Sequence, residues 1–188
     1  MTDTALRQAV LYTVGHSNRS AAALVAILTA AGIEHVADVR AHPGSRRHPQ
    51  FNRQALSEAL ATAGIEYGWW GKALGGRRSS AGVSANAALT DPGLRAYADH
   101  MGTPVFREAV EELLAMGASH RVALLCAERL PEHCHRSLIA DYLVLEGVEV
   151  VHLLSVEEHR RHEPDPRVRL AGERPVYDGQ ASGDLGLD

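Results

Sequence analysis

Five short apolar runs, separated by segments with apolar residues at helical spacing, set the pattern of this chain. Residues 10–14 are apolar and stop at Gly15, which predicts a buried strand. Ser20 is placed to cap a helix over 21–31, and Gly32 to stop it. A second strand is predicted over 33–39. The segment 40–51 is polar and holds Pro43, Gly44 and Pro49, so it reads as a loop. Asn52 is placed to cap a helix that ends at Ala63, with Gly64 as its stop signal. A third strand is expected over 65–69. Residues 71–91 are rich in Gly, Ser and Ala and predict a long irregular loop, a length reached mostly by functional or mobile segments. Asp91 or Pro92 opens a helix through Met101, and 104–116 form another. A strongly apolar strand follows over 122–125, then a helix over 134–146 ended by Gly147, then a last strand over 148–154.

Strands alternating with helices imply an α/β three-layer sandwich, with a mainly parallel sheet flanked by helices on both faces. One domain is expected over residues 1–160. Beyond it Pro164, Pro166, Pro175 and many charges predict a partly ordered tail over 161–188. In parallel sheets, ligands bind in the crevice beyond the carboxyl ends of the strands. The residues just after each strand should therefore converge. These are His16, Ser17 and Asn18; Asp38 and Arg40; Trp69 and Lys72; and Cys126, Glu128, Cys134, His135 and Arg136.

A length of 188 residues with 45% hydrophobic content suits one domain with a substantial core. The formal net charge of −4 gives no global field toward nucleic acid or anionic membrane, so anion binding must come from local arginines. No apolar run approaches the ~18 residues of a membrane span. The first residues lack a basic segment followed by a long apolar run. The expectation is a cytoplasmic protein with no membrane partner. Cys126 and Cys134 are too few for a disulfide framework, while eleven histidines call for a check on metal sites.

The strand-end segments also carry a resemblance. The matching stretches are Thr13-Val-Gly-His-Ser-Asn-Arg-Ser20, Asp38-Val-Arg40 with Pro43 and Ser45-Arg46, Leu74-Gly-Gly76, and Leu125-Cys-Ala-Glu128 with Pro131 and Cys134-His-Arg136. In this combination the chain resembles the domain of unknown function 488 family. The resemblance implies a compact α/β domain and supplies no activity.

Chemistry must then be read from the residues. Cys126 ends a strand and Cys134 sits near a helix start, where unpaired N–H groups and the helix dipole favour anions. Arg136 adds a forked guanidinium suited to phosphate, and the same setting would lower the Cys134 thiol pKa and make it a nucleophile. Cysteine phosphatases and sulfurtransferases place a donor at a short fixed distance after the nucleophile. Five intervening residues lead from Cys126 to Glu132 and from Cys134 to Ala140; four lead to Pro131 and Ile139. None is an arginine, which argues against both classes. A zinc site usually has cysteines two to four residues apart, whereas seven intervene here, and His133, Cys134 and His135 must aim at one point. No metal and no cofactor is therefore expected, with a metal-binding or transiently disulfide-bonded pair kept as rivals. Cys126 also suits the plain role of a small buried hydrophobe.

Glu128 is the acid–base candidate, with partial burial expected to raise its pKa toward neutrality. Its bland alternative is an ion pair with Arg40, Arg129 or Arg136. His16 is a general base or an imidazole hydrogen-bonded across strand ends. Asp38 and Arg40 share a strand face and form an orienting pair, with Arg40 reaching the ligand. Arg46, Arg47, Arg77 and Arg78 lie in loops beside the crevice, and Tyr67, Trp69 and Trp70 offer stacking surfaces. Neither G-x-x-x-x-G-K nor G-x-G-x-x-G occurs, so nucleotide cofactors of those types are not supported. The leading expectation is a hydrolase or transferase acting on a phosphorylated or nucleotide-like anion. His16, Glu128 and Cys134 would be catalytic, and Ser17, Asn18, Asp38, Arg40, Arg46, Cys126, His135 and Arg136 would bind substrate. The rivals are a nucleic-acid-binding or nucleic-acid-processing domain and a non-catalytic interaction module.

Overall fold

A computed structural model of the protein describes residues 9–79 and 82–179. The expectations for the first eight residues, for Ser80 and Ala81, and for the tail beyond residue 179 lie outside the described residues. In chain order the elements are β1 (Val10–Gly15), α1 (Ala21–Ala30), β2 (His35–Asp38), α2 (Arg53–Thr62), β3 (Glu66–Trp69) and the short α3 (Gly71–Leu74). They continue with α4 (Pro92–Met101), α5 (Pro104–Gly117), β4 (Val122–Cys126), α6 (Arg136–Leu145), β5 (Glu149–Leu153), β6 (His159–Arg161), β7 (Val168–Ala171) and β8 (Arg174–Tyr177).

The main sheet has the order β3-β2-β4-β1-β5-β6, parallel throughout except for β6, which runs antiparallel to β5. Strand β4 lies at the centre, buried on both faces, which is why its sequence is a continuous apolar run rather than an alternating one. In β1 the alternation sends Tyr12 and Val14 to one face, where Leu24, Ile27 and Leu28 of α1 and Leu56 and Leu60 of α2 cover them. Leu11 and Leu124 face the other way, onto Tyr97, Phe106, Leu113 and Leu138 from α4, α5 and α6. The chain is thus an α/β fold with helices on both sides of a mostly parallel sheet.

Register decides what the strand ends can share. Gly15 is level with Cys126, while Asp38 is level with Leu125 on one side and Trp69 on the other. Because β1 leads into α1 on one face and β4 into α6 on the opposite face, neighbouring strand ends open onto a crevice.

Local signals behave as their chemistry dictates at α1, where the Ser20 side chain accepts from the Ala23 N–H and Gly32 takes a positive φ of 65°. Asn52 does otherwise. Its Oδ1 accepts from the Ser45 N–H at 2.6 Å, so it ties down the preceding loop instead of capping α2. The loop expected over 71–91 begins with a helical turn, α3, whose Leu74 is fully buried. The segment read as a tail is structured as far as it is described. β6 extends the sheet, and the β7–β8 hairpin buries Val168, Val176 and Tyr177 against the core. Val168 and Tyr177 seat the hairpin on the core among the prolines and charges of this segment. No helix among the described residues is long and apolar enough to cross a membrane.

Candidate active site at the strand ends

The end of β2 builds a buried ionic frame. Asp38 is completely buried, and one of its oxygens accepts from the Arg40 backbone N–H at 3.0 Å and from Arg40 Nε at 2.8 Å. The other accepts from Arg40 Nη2 at 2.6 Å and from the Tyr67 hydroxyl at 2.7 Å. Burial works against the charge on Arg40, but the bonds to Asp38 outweigh it and hold the guanidinium pKa above its usual value. Arg40 Nη1 donates to the Phe51 carbonyl at 2.9 Å and to His16 Nε2 at 3.1 Å.

That last bond fixes His16. Its Nε2 accepts, so Nδ1 carries the proton and donates to the Ser17 carbonyl at 2.8 Å. The ring stacks on Phe51 with centroids 4.2 Å apart. Burial, and to a lesser extent the neighbouring Arg40 charge, push the His16 pKa down to about 4 against the Ser17 bond. Both nitrogens are thereby engaged, and the imidazole is neutral at pH 7. His16 holds Arg40 in place and offers no free lone pair to a substrate.

The end of β4 and the start of α6 bring the thiols, Glu128 and His135 together. Cys126 Sγ donates to Glu128 Oε2 at 3.2 Å. His135 Nε2 lies 3.0 Å from the Val39 carbonyl, which only accepts, so Nε2 carries the proton and Nδ1 keeps its lone pair. That lone pair faces both thiols, 3.8 Å from Cys126 Sγ and 3.7 Å from Cys134 Sγ. The neighbouring Cys134 sulfur, together with burial, pushes the Cys126 thiol well above its usual value despite His135. Glu128 moves opposite to the sequence expectation. Burial raises its pKa, but bonds from Cys126, from its own backbone and from Cys134 outweigh that and hold the carboxyl below the ordinary range. It is therefore ionised at neutral pH.

These groups floor an open cleft of about 600 Å³, whose walls carry His42, Arg77 and His133. Arg40 reaches its edge. A larger hollow of about 740 Å³ lies between residues 77–79, residues 82–86, the end of α4 and β8, but none of the strand-end groups lines it. Its Arg78 is spent on the carbonyls of Lys72, Ala73 and Gly75.

The remaining candidates fall elsewhere. Arg136 does not line the cleft. It is 1% exposed, its Nη2 donates to the Arg129 carbonyl at 2.7 Å, and its Nε and Nη1 have no partner among the described residues. Gly15 makes room for it, since a Cβ there would sit 2.7 Å from Nη1. Ser17 takes a positive φ of 51°, and its hydroxyl turns to Asn18 at 3.4 Å; neither residue lines the cleft. Arg46 is exposed on the 41–51 loop and is also absent from the cleft lining. Trp69 donates to the Arg40 carbonyl at 2.9 Å and lies under Arg53, so it braces the rim.

A second buried network involves none of the predicted site residues. Asp141 accepts from Tyr177 and from His162 Nε2, His162 Nδ1 accepts from His152 Nε2, and His152 Nδ1 accepts from the Thr13 hydroxyl. One signal was present, an aspartate set within the apolar run of α6.

The family model for a domain of unknown function, DUF488, matches residues 20–143. This span takes in every resembling stretch from Asp38 to Arg136, and begins at the last residue of the first. No curated protein and no solved structure matches the chain. With about two thirds of its length matched, the chain belongs to the DUF488 family.

Proposed function

We propose that the protein is an enzyme, a hydrolase or group-transfer catalyst, whose reaction takes place in the Glu128 cleft on a small phosphorylated or nucleotide-like anion. One observation carries this reading: an ionised carboxylate, two thiols and an imidazole whose Nδ1 lone pair faces those thiols meet on the floor of an open cleft. A fold has no packing need for that combination. Convergent reactive groups in a concave site are the usual mark of catalysis. Glu128 is the proton acceptor. Arg77, His42 and His133 on the walls supply positive or donor groups to the anion. The Asp38–Arg40–His16 frame keeps the rim rigid. Two unpaired thiols suit a reducing compartment, in keeping with a cytoplasmic location.

The test is turnover on a panel of phosphate esters, nucleotides and activated esters, run with wild type and Glu128→Gln. Loss of a general base lowers kcat by about 10²–10⁴-fold, with the unfolding midpoint unchanged. Equal turnover by the two proteins removes the cleft as the site of reaction.

A further inference from the structure

We infer that Cys126, Cys134 and His135 bind a divalent transition-metal ion, zinc foremost, with one coordination position left open to the cleft beside Glu128. The donor atoms of these three residues lie within 4.8 Å of one another. A tetrahedral zinc with Zn–S of about 2.3 Å and Zn–N of about 2.0 Å sets a sulfur about 3.5 Å from a nitrogen. The observed separations of 3.8 and 3.7 Å come close to that edge before any ion draws the ligands inward.

Two further features point to the same use. Metal-ligating imidazoles almost always donate their other ring nitrogen to a carbonyl or carboxylate, which fixes tautomer and ring orientation. His135 Nε2 makes that bond to Val39, and the ring is steadied edge-on by Tyr97 at 4.9 Å between centroids. Gly76 also packs against this ring. A Cβ there would lie 2.5 Å from His135 Nδ1, so the nitrogen that faces the sulfurs tolerates no side chain beside it. Two thiolates and an imidazole form a donor set that suits zinc.

The spacing of the cysteines hid this arrangement. Seven residues separate them, but the strand end and the helix start bracket the Pro131–His133 turn and bring them together. Cys134 is extended at φ −140°, while His135 is helical at φ −55°. This change of backbone lets two consecutive side chains aim at one point.

Three protein ligands with an open fourth position are the pattern of catalytic rather than structural zinc. A water held there gives a proton to Glu128, and the resulting hydroxide forms the new bond to the electrophilic carbon or phosphorus of the substrate. The leaving group departs with its bonding pair and takes the proton back from Glu128. Binding of the ion stands apart from catalysis; only this activation of water rests on the function proposed above.

The test is titration of the full-length, metal-free, reduced protein with cobalt(II), followed by zinc(II). One cobalt per chain is expected, with a thiolate charge-transfer band and the visible bands of a tetrahedral ion, all bleached by zinc. Cys126→Ser and Cys134→Ser should each weaken the thiolate band, and His135→Gln and Gly76→Ala should lower affinity at least tenfold. Glu128→Gln should keep the spectrum and the stoichiometry. Zinc should also protect both thiols of the unaltered protein from alkylation, a readout that does not depend on variants folding. No cobalt spectrum, a band that survives loss of both thiols, or alkylation at equal rate with zinc would overturn the site. If the ion binds and its removal leaves turnover unchanged, the site stands and the activation of water is refuted. If Glu128→Gln also turns over normally, the cleft itself fails as the site of reaction.

Discussion

Asp38→Asn removes one negative charge from the most enclosed ion pair in the site and keeps its volume. The native carboxylate accepts four hydrogen bonds, three from Arg40 and one from Tyr67, at 2.6–3.0 Å. Its side chain is 0% exposed and that of Arg40 is 8% exposed, so little water can replace what is lost. Leaving a buried charge without its partner destabilises by about 3–5 kcal/mol, a large share of the roughly 5–15 kcal/mol that holds a domain folded. At about 2–4 °C per kcal/mol for a chain of this size, the midpoint should fall by roughly 6–20 °C. Tyr67→Phe, which removes one donor and no charge, should lower stability by about 1 kcal/mol. Urea unfolding at pH 7 with the slope held constant measures both. A loss below about 1 kcal/mol for Asp38→Asn would mean that the pair behaves like an exposed one, and the frame would not be what positions His16 and Arg40.

Three further outcomes are expected. Burial and, behind it, the neighbours His162, Arg136 and Arg160 push the His152 pKa down to about 3, against a smaller pull from Glu132. The stabilisation by neutral His152 is complete above pH 6.5 and is lost as pH falls toward 3, by about 1.4 kcal/mol per unit. About 2 kcal/mol should be gone by pH 5, and His152→Gln should flatten that dependence in urea titrations; an unchanged slope contradicts it. Gly15→Ala places a Cβ 1.7 Å from the Glu128 carbonyl oxygen, a backbone clash that no rotamer relieves. It should lower stability by about 3 kcal/mol or more, and a variant of native stability would mean that the Glu128 loop is not seated over β1. Arg136→Met removes two buried nitrogens, Nε and Nη1, that have no partner among the described residues. Unmet buried donors cost about 1–3 kcal/mol, so this variant should equal or exceed the native protein in thermal midpoint. A drop of several degrees would show that the guanidinium has an essential partner.

Much of the fold was legible because its signals are local. The uninterrupted apolar run of β4, the Ser20 cap and Gly32 each report on their own few residues. The rim follows from one rule of topology, which brings Asp38, Arg40, Cys126 and Glu128 to the same edge. What the sequence concealed depends on direction rather than position. Nothing in the order of residues says that His135 spends Nε2 on Val39 and turns Nδ1 to the sulfurs, or that both nitrogens of His16 are engaged. Nor does it say that Arg136 folds inward beneath Gly15 while Arg77 reaches the cleft. The direction of the Glu128 shift is hidden for the same reason. Burial alone raises a carboxyl, and the thiols that reverse the sign come from an arrangement that only the folded chain shows.

Anomalous diffraction from crystals of the reduced protein soaked in zinc is the most direct trial of the cleft chemistry. A single strong peak within bonding distance of Cys126 Sγ, Cys134 Sγ and His135 Nδ1, with a water toward Glu128, is the expected result. Zinc seated instead on His152, His162 and Asp141, with the two thiols unligated, would contradict it.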